Sequence, residues 1–427
     1  MRRKSKLTEK MQQDFWSDSN FTGSSAAAFP DTREDALRRL AEFSQKVSRY
    51  SCERNYVVPG HTNVSRLSPA VRHRLITEIE VAEAVLKRYS FSTVEKFLQE
   101  IYWRRYWKSW LAMRPQIWTE YLAEIEELKK GTDMAQAQLI SQGEGLIFVM
   151  NDFARELIET GYLHNHARMW FAAYWIHTMR LPWQLGADFF YRHLLDADPA
   201  SNTLSWRWVA GLQTLGKTYL ARRSNIEKYL HRDLLSGREE GLDLLVDPTV
   251  FQPVGAVSLP AQSLLYESEQ ADLCNDSTTG LWVHEEDLSL TKIDEKFKIA
   301  NVLITGDEQT WNERSYSPLK KQWLEKALRD SEKRCQEQFP NIVTLEKTKL
   351  LTDTVCQWAK QKQLTRIVVY QPEVGSLNDQ FPALKRSLSG IGVSLVCLNH
   401  REDTMIQEHG KAGFFSFWKK VRSLLSE

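Results

Sequence analysis

At 427 residues, with 42% hydrophobic and 26% charged side chains, the chain has room for two domains with separate cores and an ordinary globular composition. No apolar run approaches the ~20 residues that span a bilayer, and the opening MRRKSKLTEK lacks the apolar centre of a secretory signal, so a frayed terminus and no membrane partner are expected. A formal net charge of +1 excludes a globally basic surface, so any nucleic acid must meet a local patch.

Residues 32–245 read as helical. Asp31-Thr32 opens an amphipathic run through Leu40 and Phe43, and Leu75, Ile76, Ile79, Ala82, Val85 and Leu86 keep a 3.6-residue period. Ser92 and Glu95 form a Ser-x-x-Glu capping signature ahead of a helix reaching Leu111. Further helices are predicted over 150–159, 167–178 and 184–195, and no alternating strand interrupts them, so 1–245 is expected to form one all-α domain. Pro248, Pro253, Gly255 and Pro260 then break regular structure, and 246–280 reads as an interdomain linker. Over 281–427, short apolar strands at 281–284, 300–305, 341–345, 366–370 and 393–398 alternate with helices at 319–338, 352–362 and 378–389. That alternation predicts βαβ units and a mostly parallel, Rossmann-like sheet, making the chain a two-domain α/β protein.

Five cysteines (Cys52, Cys274, Cys335, Cys356, Cys397) show no paired spacing, which points to a reducing, cytoplasmic setting without zinc or an iron–sulfur cluster; no metal is expected. Fifteen tryptophans are the outlier, several of them beside Arg or Lys. On the helix from Ser92, Glu100, Trp103, Arg104 and Trp107 share one face, while Val94, Phe97, Leu98 and Ile101 make the core stripe. That face is either functional or an exposed Glu100–Arg104 pair with indoles packed on a neighbouring domain. Ser65-Arg66-Leu67-Ser68-Pro69 sets two hydroxyls at a helix start, as a phosphate cradle or as simple capping. Asn165 and Arg168 stand at i and i+3 with Met169 following, and Asp196 and Asp198 flank Ala197. A buried Asp beside Arg stays ionised and can bond a cofactor, or the pair is a structural bridge. Trp183, Trp206 and Trp208 read equally as core bulk, an electron-hopping chain or stacking platforms.

Taken together, residues 30–230 resemble the FAD domain of the photolyase/cryptochrome family. The family's TSxLSP motif is matched by Val64 to Pro69, which implies that Tyr50, Ser65, Arg66, Leu67 and Ser68 hold FAD, with its phosphates on the two serines. The W-R-E motif is matched by Trp103-Arg104-Arg105 after Glu100. The resemblance puts Glu100 and Trp103 in a lesion pocket and Arg104 against the flavin. GYLHNHARM (161–169) is similar to the family's GYMHNRLRM. It implies Asn165 facing flavin N5, an Arg168–Asp196 bridge beside the ring, Asp198 near the ribose, and Met169 against the thymines. Asn202 and Trp208 match lesion-site positions. Trp206 and Trp183 match the inner two members of the electron-transfer chain, whose third Trp is missing around Lys129 and Lys130. Arg54, Trp103, Arg105, His166 and Trp208 are the expected DNA contacts, with Lys108, Arg222 and Arg223 adding positive charge.

Three later segments, GLWVHEEDLSL from Gly280, the 366–370 strand and GFFSFWKKV from Gly413, resemble the family's antenna domain in its usual internal order. They follow the FAD domain instead of preceding it, which reads as a circular permutation. Glu285 and Glu286 stand where paired arginines are usual, so an antenna chromophore is left open and its identity unassigned. The resemblance implies a monomeric lyase that repairs cyclobutane pyrimidine dimers in damaged DNA with light and reduced FAD. The alternative is a cryptochrome-like blue-light sensor.

Overall fold

The computed structural model describes residues 29–131, 133–214, 217–251, 260–262, 278–290 and 297–426. The opening basic segment, Pro253, Gly255, Cys274 and most of the expected linker lie outside the described residues. No helix among the described residues is long and apolar enough to cross a membrane.

The first half is built from helices. Thr32 caps Arg33–Ser44, its side chain accepting the Asp35 amide. A full capping box opens Glu78–Leu86, but its members are Thr77 and Glu80. The box expected at Ser92 does not form. The long helix Phe91–Ala112 starts earlier, from Ser90, and has no side-chain cap. The Ser90 hydroxyl bonds those of Ser92 and Thr93 instead, at 3.1 and 2.9 Å. Leu75 and Ile76 lie before Glu78–Leu86, buried in the turn that precedes it.

Helices Phe148–Thr160, Asn165–Ala173, Trp183–His193 and Pro199–Val209 follow, and Asn165–Ala173 runs on into a π-turn at Tyr174–Thr178. Gly161 ends Phe148–Thr160 at φ 69°, where a Cβ would come within 2.6 Å of Leu195 Cγ. A glycine there lets the chain reverse tightly into the 162–169 segment. A single parallel bridge, Val57 to Leu230, is the extended pairing among the described residues of this half.

The second half is a five-stranded sheet of β1 (Thr279–His284), β2 (Ile299–Gly306), β3 (Val343–Lys347), β4 (Arg366–Tyr370) and β5 (Ser394–Leu398). Every pairing is parallel, in the order β3-β2-β1-β4-β5. β1 opens at Thr279, so the expected linker boundary at 280 falls inside a strand. All six β1 residues are buried, which explains why it reads as a continuous apolar run. Helices Pro318–Gln338, Leu351–Gln361 and Ser376–Gly390 make the crossovers, and Phe414–Leu424 closes the described chain.

The halves interlock through the carboxyl ends of the strands. Arg72 makes two 2.6 Å bonds to Glu286, and His73 Nδ1 lies 2.7 Å from the Glu285 carbonyl. Arg74 reaches Asp287 at 3.3 Å and also pairs with Asp403. From the long helix, Arg105 pairs with Glu373 (2.8 Å) and Asp403 (2.9 Å), and Lys108 with Glu373 (2.8 Å). This corrects the expectation that Arg105 and Lys108 meet DNA. They are 2% and 9% exposed, because the α/β half covers a third face of a helix whose sequence shows two stripes.

Candidate flavin and lesion site

One cavity of about 600 Å³ in the helical half gathers most of the residues singled out from the sequence. Tyr50, Arg54, Ser65, Arg66, Ser68, Glu100, Trp103 and Arg104 line it from the first helices. Asn165, His166, Arg168, Met169, Asp196, Asp198, Asn202, Trp206 and Trp208 line it from the helices after Gly161. Residues more than a hundred positions apart thus share one concave wall, the usual form of a ligand site.

Its floor is electrostatically set. Arg168 holds Asp196 by two parallel bonds of 3.0 and 2.9 Å, and its Nε donates to the Leu163 carbonyl at 2.7 Å. Burial alone would raise the Asp196 carboxyl, yet the Arg168 guanidinium beside it holds it below its usual range and therefore ionised. Asp198 is fully buried and caps Pro199–Val209 by accepting the Ser201 amide at 2.8 Å. Arg104 spans both acids, donating to the Asp196 carbonyl (3.3 Å) and the Asp198 carboxylate (3.2 Å).

That arrangement settles two open readings. Arg168 and Asp196 do form a bridge, and it lines the cavity. Arg104 turns to Asp198, so the exposed Glu100–Arg104 pair does not exist: Glu100 pairs with Arg54 at 2.6 Å and Lys96 at 3.3 Å.

The outer walls are aromatic and amide. Trp103 stacks on Phe414 of the closing helix, with centroids 3.8 Å apart and planes 7° apart. Trp208 stacks on Tyr219 at 5.9 Å. Asn202 Nδ2 donates to the Ala187 carbonyl at 2.8 Å, and the exposed Asn165 side chain sits 4.0 Å from Met169 Sδ. Trp206 is buried against Phe190 at 5.0 Å and reaches the cavity, while Trp183 does not line it. Trp183 stacks instead on Tyr121, with centroids 5.4 Å apart and planes 18° apart. Tyr121 belongs to Gln116–Leu128, the helix that ends beside the expected third-Trp position.

Leu67 also departs from expectation: its side chain is fully buried in the core and does not line the cavity. Only its amide takes part locally, donating to Ser65 Oγ at 3.4 Å. Ser68–Arg72 is a helix of only five residues, so the hydroxyls and the local backbone shape this loop more than a helix dipole does. Arg66 sits within it at φ 55°, a left-handed conformation that costs a non-glycine residue free energy and concentrates at functional sites.

Among the lining residues that escaped the sequence reading, His164, Ser201 and Tyr162 stand out. His164 is buried, lines the cavity, and its Nε2 has no hydrogen-bond partner; burial pushes its pKa far down, so the ring is neutral. Ser201 Oγ is likewise buried and unpaired. Tyr162 lies under the Arg168 guanidinium, 5.3 Å from ring to cation. Only the alternation His164-Asn165-His166 could have pointed to the first of them. With Arg66 Nε, these make three unmet buried polar groups around one large cavity. Such groups cost free energy unless a ligand meets them. The residues therefore fit a large, polar, multi-ring cofactor. Among the described residues no three His, Cys, Asp or Glu side chains gather as metal ligands.

Comparison with known proteins points the same way. Residues 97–232 match the family described as the FAD binding domain of DNA photolyase. A deoxyribodipyrimidine photo-lyase of Alkalihalophilus pseudofirmus is 29% identical over 184 residues, covering 42% of this chain and 38% of that protein. One from Streptomyces griseus is 31% identical over 153 residues, covering 35% of this chain and 32% of that protein. The matched region thus spans well under half the length of these curated relatives. A class III photolyase of Agrobacterium tumefaciens superposes at a TM-score of 0.42 with 23% identity, covering 50% of this chain and 45% of that structure. Within the helical half, residues 97–232 thus carry the FAD-binding domain of the photolyase family.

Proposed function

We propose that this protein is a light-driven lyase that repairs cyclobutane pyrimidine dimers in DNA. The observation that carries the reading is a convergence. The residues suited to a lesion (Glu100, Trp103, Met169, Asn202, Trp208) share one cavity with those suited to the cofactor (Ser65, Ser68, Arg104, Arg168, Asp196, Asp198). When bound, reduced FAD absorbs blue light and supplies the electron that opens the dimer ring.

The chain's own groups do the docking and orienting. Ser65 and Ser68, with the strained Arg66 between them, hold the phosphates. The ionised Asp196, locked by Arg168, and the buried Asp198 accept from the ring and ribose, and the Asn165 amide faces the ring. A pyrimidine pair flipped from its strand enters between Trp103 and Trp208, which replace lost base stacking, while Met169 supplies apolar contact. Glu100 accepts hydrogen bonds from the damaged bases, and Arg54, paired with it, holds it in place. Trp206 and Trp183, with Tyr121 stacked behind, form an aromatic route for re-reducing the cofactor. Phosphate contacts fall to Arg54, His166 and Arg222, since Arg105 and Lys108 are committed to the interface and Arg223 pairs with Glu227 and Asp243.

We also read 1–245 as the catalytic domain, 246–280 as the connection and 281–427 as an antenna-like domain in reversed order. Helices followed by a parallel sheet support that order. An exchange of this kind is tolerated where termini are exposed and each domain folds as a unit.

The test is loss of thymine dimers from DNA under blue light against darkness, using the photoreduced protein. Glu100→Ala is expected to slow repair roughly ten-fold or more, the worth of one hydrogen bond to a charged group. Bound flavin without repair moves the reading to a photosensor, and absence of flavin from the purified protein overturns the site assignment.

A further inference from the structure

A row of aromatic rings leaves the cavity and continues across the surface to Tyr56. Trp208 and His166 both line the cavity, and Tyr219 joins them. Its ring stacks on Trp208 at 5.9 Å, and its hydroxyl lies 3.4 Å from His166 Nε2. His166 meets Tyr229 at 5.2 Å, and Tyr229 meets Tyr56 at 5.3 Å, edge to face. Tyr56 is 41% exposed and directly follows the cavity-lining Asn55.

The row is built to stay in place. Val57 N donates to the Tyr229 carbonyl at 2.8 Å, and His231 N to the Val57 carbonyl at 2.9 Å. These bonds form the Val57–Leu230 parallel bridge and set Tyr56 beside Tyr229. Asn63 Nδ2 donates to the Tyr56 carbonyl at 2.8 Å, and His166 Nδ1 lies 2.8 Å from the Asn55 carbonyl.

The charge along the row is positive. Lys217, Arg222 and Lys228 are exposed on the segment that carries Tyr219 and Tyr229, and Lys228 Nζ lies 4.8 Å above the Tyr229 ring. Glu227 is neutralised by Arg223 and Glu53 by Arg49. Aromatic faces in sequence beside unneutralised cations are what an unpaired strand requires: each base offers a π-face and each phosphate a charge.

We propose that Trp208, Tyr219, His166, Tyr229 and Tyr56 form a stacking track for the unpaired nucleotides next to the lesion, making single-stranded damaged DNA the preferred substrate. The proposal rests on the repair reading for its choice of DNA. A duplex keeps its bases stacked on one another and cannot use the track.

The test measures binding of the full chain to a fluorescein-labelled oligothymidylate single strand and to the matching duplex by anisotropy, with flavin content read by absorbance. Wild type is expected to prefer the single strand. Tyr56→Ala should weaken single-strand binding by roughly ten-fold, the loss of about one base stack, while changing duplex binding less than two-fold. Tyr56→Phe should restore it. Flavin content should stay at wild-type level in both variants, since Tyr56 does not line the cavity. Single-strand affinity within two-fold of wild type in Tyr56→Ala overturns the track, whether or not dimers are repaired. An oligoribonucleotide that competes as well as the deoxy strand overturns the assignment to DNA. Absence of repair with the Tyr56 effect intact overturns the repair reading and leaves the track standing.

Discussion

Arg168 and Asp196 show how much one ion pair determines at the residue scale. Asp196 is buried and its partner supplies two of its hydrogen bonds, so removing the guanidinium strands a charge in a poor solvent. Arg168→Met is expected to lower stability by about 3 kcal/mol and to empty the purified protein of flavin. A urea titration and the visible absorption spectrum check the two effects separately. Asp196→Asn keeps a hydrogen-bonding group and should cost less on both counts. The i, i+3 spacing of Asn165 and Arg168 was visible in the sequence. That Asp196, 28 positions on, would meet Arg168 followed from the resemblance and is set by the turn at Gly161.

At the scale of elements, close approach between helices decides where the aromatic side chains stand. Gly186 lies inside Trp183–His193, where a Cβ would come within 2.5 Å of Trp206 Cζ3 and 3.1 Å of Trp175 Cδ2. Gly186→Ala should therefore destabilise the protein by about 1–3 kcal/mol through overpacking and shift Trp206 at the cavity edge. Thermal melts and the flavin's fluorescence lifetime would register the two changes.

The turn after β1 offers a second test at this scale. Burial pushes the Glu285 carboxyl up to about 8 from an ordinary 4.5, although Trp311 Nε1 (2.9 Å) and the Asp307 amide (3.0 Å) donate to it. The folded state therefore binds this proton more tightly than the unfolded chain does. The group's contribution declines as pH rises from about 4.5 through about 8. The stability of Glu285→Gln relative to wild type should increase across that window, and denaturation midpoints at its two ends would show it. An unchanged difference would mean that Glu285 is ionised throughout. Such periodic elements were largely legible: all five strands and the three long crossover helices begin within two residues of their expected starts. The Ser92 capping box failed because neighbouring hydroxyls compete for the same bonds.

At the scale of the whole molecule, the α/β half meets the helical half through carboxylates. Among the described residues, the cavity lined by β1 and by Tyr370 of β4, where an open parallel sheet usually takes its ligand, is about 10 Å³. Burial works against the Glu286 carboxylate, but the Arg72 guanidinium lowers its pKa to about 2 from 4.5. A depressed carboxylate stabilises the fold above its unfolded value, and the contribution is lost as pH falls from about 4.5 toward about 2. Acid should therefore loosen the two halves in that window. Glu286→Gln should lose about 3 kcal/mol at neutral pH by leaving Arg72 unpaired, and its acid transition should be shallower. Tryptophan emission followed against pH in both proteins would test this.

Sequence alone determined what short-range physics controls. The 3.6-residue and strand periods separate a helical half from a βαβ half, because hydrophobic pattern and local hydrogen bonding act over a few positions; the cofactor and the site followed from the resemblance of the motifs. Tertiary structure decided which face of Phe91–Ala112 is solvent, cavity or interface. It turned Arg105 and Lys108 from expected DNA contacts into interdomain ion pairs, withdrew Leu67 into the core, and aligned Tyr56 with a cavity it follows by one residue. Each of these depends on contacts between residues distant in sequence, where no local period carries the information.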